Sequence, residues 1–198
     1  KNCNKTLVTI FINPKQFNKK NDYNKYPKNI NRDLSILKRF NIDFVFIPKK
    51  SDVYNYKRSK KIRLNKKDLI LCAKHRKGHF EGVLDVMDRL TKLINPNKIF
   101  MGKKDFQQFI LVKNYIKKKY NIKVIGCPTI RDKNKIALSS RNFLLNKKEL
   151  FNASQIIKDL FNFKRKFKKS KNINYLLKLK KIDLQDRYKI KVEYLENR

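Results

Sequence analysis

Apolar positions along the chain alternate between short β-branched runs and longer stretches with helical period. Leu7–Ile12 is an apolar run stopped by Asn13-Pro14, which predicts a strand buried on both faces. A polar loop rich in Lys and Asn follows. From Ile30 to Phe40, the residues Ile30, Leu34, Leu37 and Phe40 share one helical face. Phe44–Ile47 predicts the next strand, closed by Pro48, while residues 49–64 are too basic and irregular to assign. Beginning near Gly78, the positions Phe80, Val83, Met87, Leu90 and Ile94 give the cleanest amphipathic helix, and Pro96 lies just past its end. Lys98–Met101 predicts a strand, Asp105–Tyr120 a helix and Lys123–Ile125 a strand. Such strand–helix repeats imply a parallel sheet covered by helices, with any nucleotide site beyond the carboxyl ends of the strands.

After Asn142 the pattern changes. Lys147–Phe163 predicts a helix with Leu150, Ala153, Ile157, Leu160 and Phe161 as its apolar stripe. The basic run Lys164–Lys171 reads as a solvated linker, and residues 172–198 as one short helix and a terminal strand, Ile190–Leu195. The expected division is therefore 1–142 for the α/β domain and 143–198 for a partial α+β C-terminal domain, too small for a core of its own.

Composition changes this picture less than its extremes suggest. The net charge is +36, which alone would point to nucleic acid. Yet Lys supplies 41 of the 52 basic residues and Arg 11, whereas groove and phosphate readers lean on Arg forks. The excess Lys accompanies abundant Asn, Ile, Tyr and Phe, all with AT-rich codons, while Gly numbers 4 and Trp 0. Mutational bias accounts for this composition as well as selection for a polyanion does, so no specific nucleic-acid partner is expected. Cys3, Cys72 and Cys127 form no CxxC, which suggests neither a disulfide framework nor a zinc site and fits a cytoplasmic protein. No apolar run reaches membrane-spanning length. Beginning at Lys1 rather than Met, the sequence reads as lacking an upstream portion.

Three blocks carry candidate chemistry. Asn13-Pro14-Lys15-Gln16-Phe17 follows the first strand; its carboxamides could bind a small acid, or Asn13 could simply cap a turn. Gly102-Lys103-Lys104-Asp105-Phe106-Gln107-Gln108 bridges a strand to a helix N-terminus, where free amides, the helix dipole and a Lys suit phosphate. Gln108 lies one turn into that helix. Leu138-Ser139-Ser140-Arg141-Asn142 sets two hydroxyls beside an Arg fork that can clamp phosphate oxygens. Glycines Gly78, Gly82, Gly102 and Gly126, with His75 and His79, mostly sit at loop ends, where backbone turns sharply or approaches a ligand.

Read in order from Leu7 to Leu145, these blocks resemble pantothenate synthetases (pantoate–β-alanine ligases). The carriers are Val8 to Phe17, Tyr26-Pro27, Arg76-Lys77-Gly78-His79-Phe80-Glu81-Gly82-Val83, Gly102 to Gln108, Pro128-Thr129-Ile130-Arg131 and Leu138 to Asn142. The resemblance implies a Rossmann-like nucleotidyltransferase fold, a cytosolic homodimer, and ATP- and Mg²⁺-dependent condensation of pantoate with β-alanine through a pantoyl-adenylate. It assigns Gln16 to pantoate and then β-alanine, and Gln108 to pantoate. Gly102, Lys103, Lys104 and Asp105 fall to ATP, with Lys104 on the phosphates and Asp105 near ribose or metal. Ile130 falls to adenine, and Leu138, Ser139, Ser140 and Arg141 to the triphosphate. Lys104, Ser139, Ser140 and Arg141 are the expected catalytic set; Asn13, Arg76 and His79 line the expected cleft.

The sequence also departs from the family pattern. The HxGH motif, with the first strand and one helix expected ahead of Leu7, is absent from these residues. Lys103 replaces an acidic residue, Lys77 a proline and Lys135 a glycine. The chain also stops inside the expected C-terminal domain. A non-catalytic nucleotide-binding remnant and a basic nucleic-acid-binding module are the alternative readings.

Overall fold

In the computed structural model, residues 3–18, 20–57, 60–167 and 172–197 are described. They fall into two compact units, Lys1–Met101 with Asp105–Gly126, and Gly102–Lys104 with Cys127–Arg198.

The first unit is a strand–helix alternation. In order it contains β1 (Leu7–Thr9), α1 (Lys20–Asn24), α2 (Ile30–Arg39), β2 (Phe44–Phe46), α3 (Lys50–Val53), α4 (Cys72–His75), α5 (His79–Ile94), β3 (Lys98–Gly102), α6 (Phe106–Tyr120) and β4 (Lys123–Cys127). β1 pairs with β2 in parallel, with Leu7 opposite Phe44 and Thr9 opposite Phe46. β3 pairs with β4 as a second two-stranded sheet, joined through α6. The chain thus has the mixed α/β architecture with parallel strands that its sequence pattern predicts.

The core lies where α5 and α6 meet. Phe80, Val83 and Leu84 from α5 pack with Phe109, Val112 and Ile116 from α6 and Val124 from β4. Val112 and Ile116 are fully buried, each removing roughly 1.5–3 kcal/mol of apolar side chain from water. Asp88 fixes the register between the two helices. Its buried carboxylate accepts hydrogen bonds from Lys119 Nζ at 2.7 Å and Tyr120 Oη at 2.8 Å.

The second unit holds α7 (Lys147–Phe167) and α8 (Ile173–Tyr188), with Leu177 and Leu184 buried on α8. Asp159 of α7 accepts from Arg187 Nη1 at 2.9 Å and from Tyr188 Oη at 3.0 Å. Burial pushes the Tyr188 phenol above its ordinary pKa.

Four expectations are corrected. The first strand ends at Thr9, because β2, its partner, is only three residues long. Nor is it buried on both faces: Leu7 is 42% exposed, and among the described residues β1 pairs with β2 alone. The run 164–171 is not all linker; α7 continues to Phe167, as strong helix formers such as Lys and Arg allow, and residues 168–171 lie outside the described residues. Ile190–Leu195 forms no strand. Val192 N–H instead donates to the Gln185 side chain, and no described strand lies alongside to pair with it.

The two β strands of the first sheet are clamped at their starts by Asp43. Its Oδ2 accepts from the Thr6 hydroxyl at 2.7 Å and the Thr6 amide at 2.9 Å, and Lys5 Nζ lies 3.3 Å from Oδ1. Chiefly through the Thr6 hydroxyl, these donors hold the carboxyl pKa down to about 2. A depressed carboxyl stabilises the fold above the ordinary carboxylate range and loses that contribution as pH falls towards 2. Asp43→Asn should therefore lower the thermal midpoint at pH 6. The difference from the parent chain should shrink as pH falls from about 4 to about 2, as thermal melts across that range will show.

Candidate functional site

The turn after β1 is built on α5. Asn13 caps the 3₁₀ turn Pro14–Gln16, its Oδ1 accepting from Lys15 N–H at 3.2 Å. Its Nδ2 donates to the carbonyl of Gly82 at 3.1 Å, and Tyr54 Oη donates to Oδ1 at 2.7 Å. Only 1% of Asn13 is exposed, so this carboxamide is spent on holding the turn. Gly82 makes the close docking feasible. A Cβ there would sit 2.5 Å from the Lys15 carbonyl oxygen. His79, buried in the first turn of α5, places Nδ1 against the Gln16 carbonyl. A carbonyl can only accept, so Nδ1 carries the proton. Gln16 thus leaves the turn with its backbone fixed from behind.

A ring of charge and aromatic faces secures the same turn. Lys15 Nζ lies 3.2 Å from Asp85 and 4.0 Å from the centroid of the Tyr54 ring. Arg89 bonds Asp85 at 2.9 Å and lies over both the Tyr54 and Tyr56 rings. The sequence carried a partial signal for this ring, since Asp85 and Arg89 stand four apart on α5. Tyr54 and Tyr56 fell in the unassigned stretch and were missed.

Across the sheet, α6 begins at Phe106 with Asp105 at its cap. Its two adjacent glutamines part company. Gln107 staples the segment before α5, bonding Asp68 and Ile70 carbonyls at 3.1 and 2.8 Å and accepting from Ala73 N–H at 3.3 Å. Gln108 instead lines a cavity of about 1120 Å³, together with Asn13 and Gln16. The two glutamines singled out in the sequence share one cavity, which runs along β1 and β3. Arg76 is half-buried just ahead of α5, and its carbonyl accepts from His79 N–H at 3.2 Å.

The remaining candidates belong to the second unit. Lys103 N–H donates to the Cys127 carbonyl at 2.9 Å, which fixes the Gly102–Lys104 turn beside the end of β4. Gly102 meets nothing within 4 Å of a built Cβ, so packing does not explain a glycine there. Ile130 and Leu138 are well exposed and joined by Leu138 N–H to the Ile130 carbonyl at 3.0 Å. Between them Arg131 and Ala137 form an antiparallel bridge. Lys135, at the tip, has φ of 69°. A glycine would adopt that left-handed backbone more readily than a lysine does. Ser139 Oγ accepts from Arg141 N–H at 3.3 Å and caps the 3₁₀ turn Ser140–Leu144, while Asn142 Nδ2 ties the loop to the Ala137 carbonyl at 3.0 Å.

A sequence profile described as Pantoate-beta-alanine ligase matches residues 1–198. The chain belongs to this ligase family. It is 42% identical to a bifunctional pantoate ligase/cytidylate kinase of Prochlorococcus marinus, covering 99% of this chain and 39% of that protein. It is 35% identical to a pantothenate synthetase of Pseudothermotoga lettingae, covering 96% of this chain and 69% of that one. Among solved structures, the pantoate-beta-alanine ligase of Francisella tularensis, complexed with beta-gamma ATP and beta-alanine, superposes with a TM-score of 0.84 at 33% identity. That match covers 98% of this chain and 72% of the Francisella protein. The chain therefore spans about two-fifths of the bifunctional relatives and about seven-tenths of these two family members.

Two substitutions test this geometry. Gly82→Ala forces the turn off α5 because the clash is with backbone; despite better helix propensity it should cost about 1–2 kcal/mol by urea unfolding and shift the amide resonances of residues 13–17. Lys135→Gly should do the opposite, relieving the left-handed strain and raising the thermal midpoint by about 2–4 °C.

Proposed function

We propose that this chain carries the acid- and ATP-handling machinery of a pantoate–β-alanine ligase, releasing AMP and pyrophosphate. The observation that carries the reading is that Gln16, in the turn after β1, and Gln108, in the first turn of α6 after β3, line one cavity. Both follow the carboxyl end of a strand, where open α/β folds take their ligands. Both side chains can donate to a carboxylate or hydroxyl and accept from a hydroxyl or amine, which suits pantoate and then β-alanine.

ATP binds along Gly102–Asp105, Ile130 and Leu138–Arg141. Gly102 has no packing reason to be glycine, as expected where backbone lies close to a ligand. Lys104, Ser139, Ser140 and Arg141 supply cation and hydroxyls to the phosphates. No cluster of three or more metal-ligating side chains occurs among the described residues. Mg²⁺ would arrive on the triphosphate, with Asp105 as the carboxylate that the family resemblance offers for it.

In the first step a carboxylate oxygen of pantoate attacks the α-phosphorus, and the bond to pyrophosphate breaks. The positive groups stabilise charge on the α-phosphoryl oxygens and on the leaving group. In the second step the neutral amine of β-alanine attacks the acyl carbon; the C–O bond to AMP breaks and the amine loses a proton. His79 acts on this site through the Gln16 carbonyl, as a positioning residue. The protein works in the cytoplasm as a homodimer.

The test separates two adjacent lysines in the longest natural protein that contains this chain. With ATP, pantoate and β-alanine, AMP and pyrophosphate should form in step with amide. Lys104→Ala should slow that reaction roughly a hundredfold or more, while Lys103→Ala changes it little. Formation of ADP, or equal losses for the two variants at matched thermal midpoints, would overturn the assignment.

A further inference from the structure

At the start of α4 the chain makes a turn that its own sequence does not favour. Ala73 N–H donates to the Ile70 carbonyl at 3.0 Å, which closes a tight turn from Ile70 to Ala73. Leu71 holds the first central position, with φ of 51° and ψ of −127°. That is the type II′ combination, where glycine dominates because a Cβ crowds the backbone. The asparagines that end α5 and α6 differ. Asn95 and Asn121 have ψ of 57° and 23°, inside the small left-handed region open to L-residues. Leu71 lies outside that region, with its side chain half-buried.

A side chain from α6 spans this turn. Gln107 Nε2 donates to the Ile70 carbonyl at 2.8 Å and to the Asp68 carbonyl at 3.1 Å, while its Oε1 accepts from Ala73 N–H at 3.3 Å. The carboxamide therefore engages both groups of the bond that closes the turn. Because carbonyls only accept and amides only donate, these partners also fix which end of the side chain is oxygen. Ala73 is 4% exposed and belongs to the core cluster of α5 and α6. Apolar packing does little for the very start of α6, where Phe106 is 56% exposed. Gln107 ties that start to the core instead, and the next residue, Gln108, lines the cavity.

We infer that Gln107 is a positioning residue for the acid site: it imposes the Leu71 turn and, braced on that turn, sets the start of α6 so that Gln108 faces the cavity. The inference rests on the reading of Gln108 as a contact for pantoate. Strain and clamp are coupled here. Leu71 opposes the turn and Gln107 restores it, so a residue that takes the turn unaided at position 71 makes the clamp dispensable. A glutamine serving stability alone would lower the thermal midpoint when removed and leave Gln108 in place.

The test is a double-mutant cycle on Gln107→Ala and Leu71→Gly. Kinetics are read in the longest natural protein that contains this chain, and amide hydrogen exchange by NMR in the 198-residue chain. Gln107→Ala should raise the KM for pantoate roughly tenfold, with kcat and the KM for ATP within about twofold of the parent. It should also speed exchange of the Ala73 amide roughly tenfold. Gln107→Glu, which keeps the length and the acceptor but cannot donate, should raise the KM for pantoate likewise. Leu71→Gly alone should leave that KM within about twofold, and added to Gln107→Ala it should return both readouts to within about threefold of the parent, because glycine needs no clamp. An unchanged KM for pantoate in both Gln107 variants makes Gln107 a structural residue and overturns the proposal. So does a loss that Leu71→Gly fails to reverse in a double variant that still melts cooperatively. A parent protein that does not consume pantoate defeats the reading of Gln108 instead. The exchange cycle then decides the clamp by itself, and independent effects of the two substitutions there overturn it.

Discussion

The seating of the Asn13–Gln16 turn on the first two turns of α5 is the contact on which the rest depends. It is a backbone-to-backbone approach, made feasible by the missing side chain of Gly82 and locked by the two hydrogen-bonding ends of one asparagine. Side-chain contacts can be traded for others of similar volume; an approach of this kind cannot. It fixes where β1 ends relative to α5, and α5 in turn carries the core against α6. Gln16 is therefore positioned by the same packing that holds the first unit together.

Electrostatics enter at this junction in an unusual balance. In a chain of net charge +36, the acidic residues that remain do specific jobs. Asp85 stands between Lys15 and Arg89, Asp88 joins α5 to α6, and Asp43 gathers the starts of two strands. The lysine surplus is carried by exposed helix faces and C-terminal turns such as Lys117–Lys119, where the helix dipole favours positive charge. Charge that looks like a signal for nucleic acid is largely tolerated on the outside while carboxylates hold the inside.

The sequence made the long elements plain, because α5 and α6 have strong helical period and end in residues suited to it. Asn95 and Asn121 close them with left-handed backbone, as Asn41 does after α2, so asparagine serves where glycine is scarce. The terminal strand Ile190–Leu195 was misread because an apolar alternation says nothing of whether a neighbour exists to pair with. At the site, residue identities were legible from the blocks, but their roles were not. Asn13 and His79, read from the sequence as cleft residues, also hold the turn, through Gly82 and Gln16. Gln107 and Gln108, identical and adjacent, differ only in which way the helix points them. Tyr54 acts across 41 positions of sequence, beyond the reach of any local pattern.

The division into two strand pairs also bears on how the chain assembles. Each pair is closed by its own crossover, and α5 follows the first and precedes the second. Neither pair waits on the other, so each can form from contacts relatively near in sequence. Contacts made between the two pairs after each has formed would fall after the rate-limiting step of folding and act mainly on how slowly the finished protein comes apart.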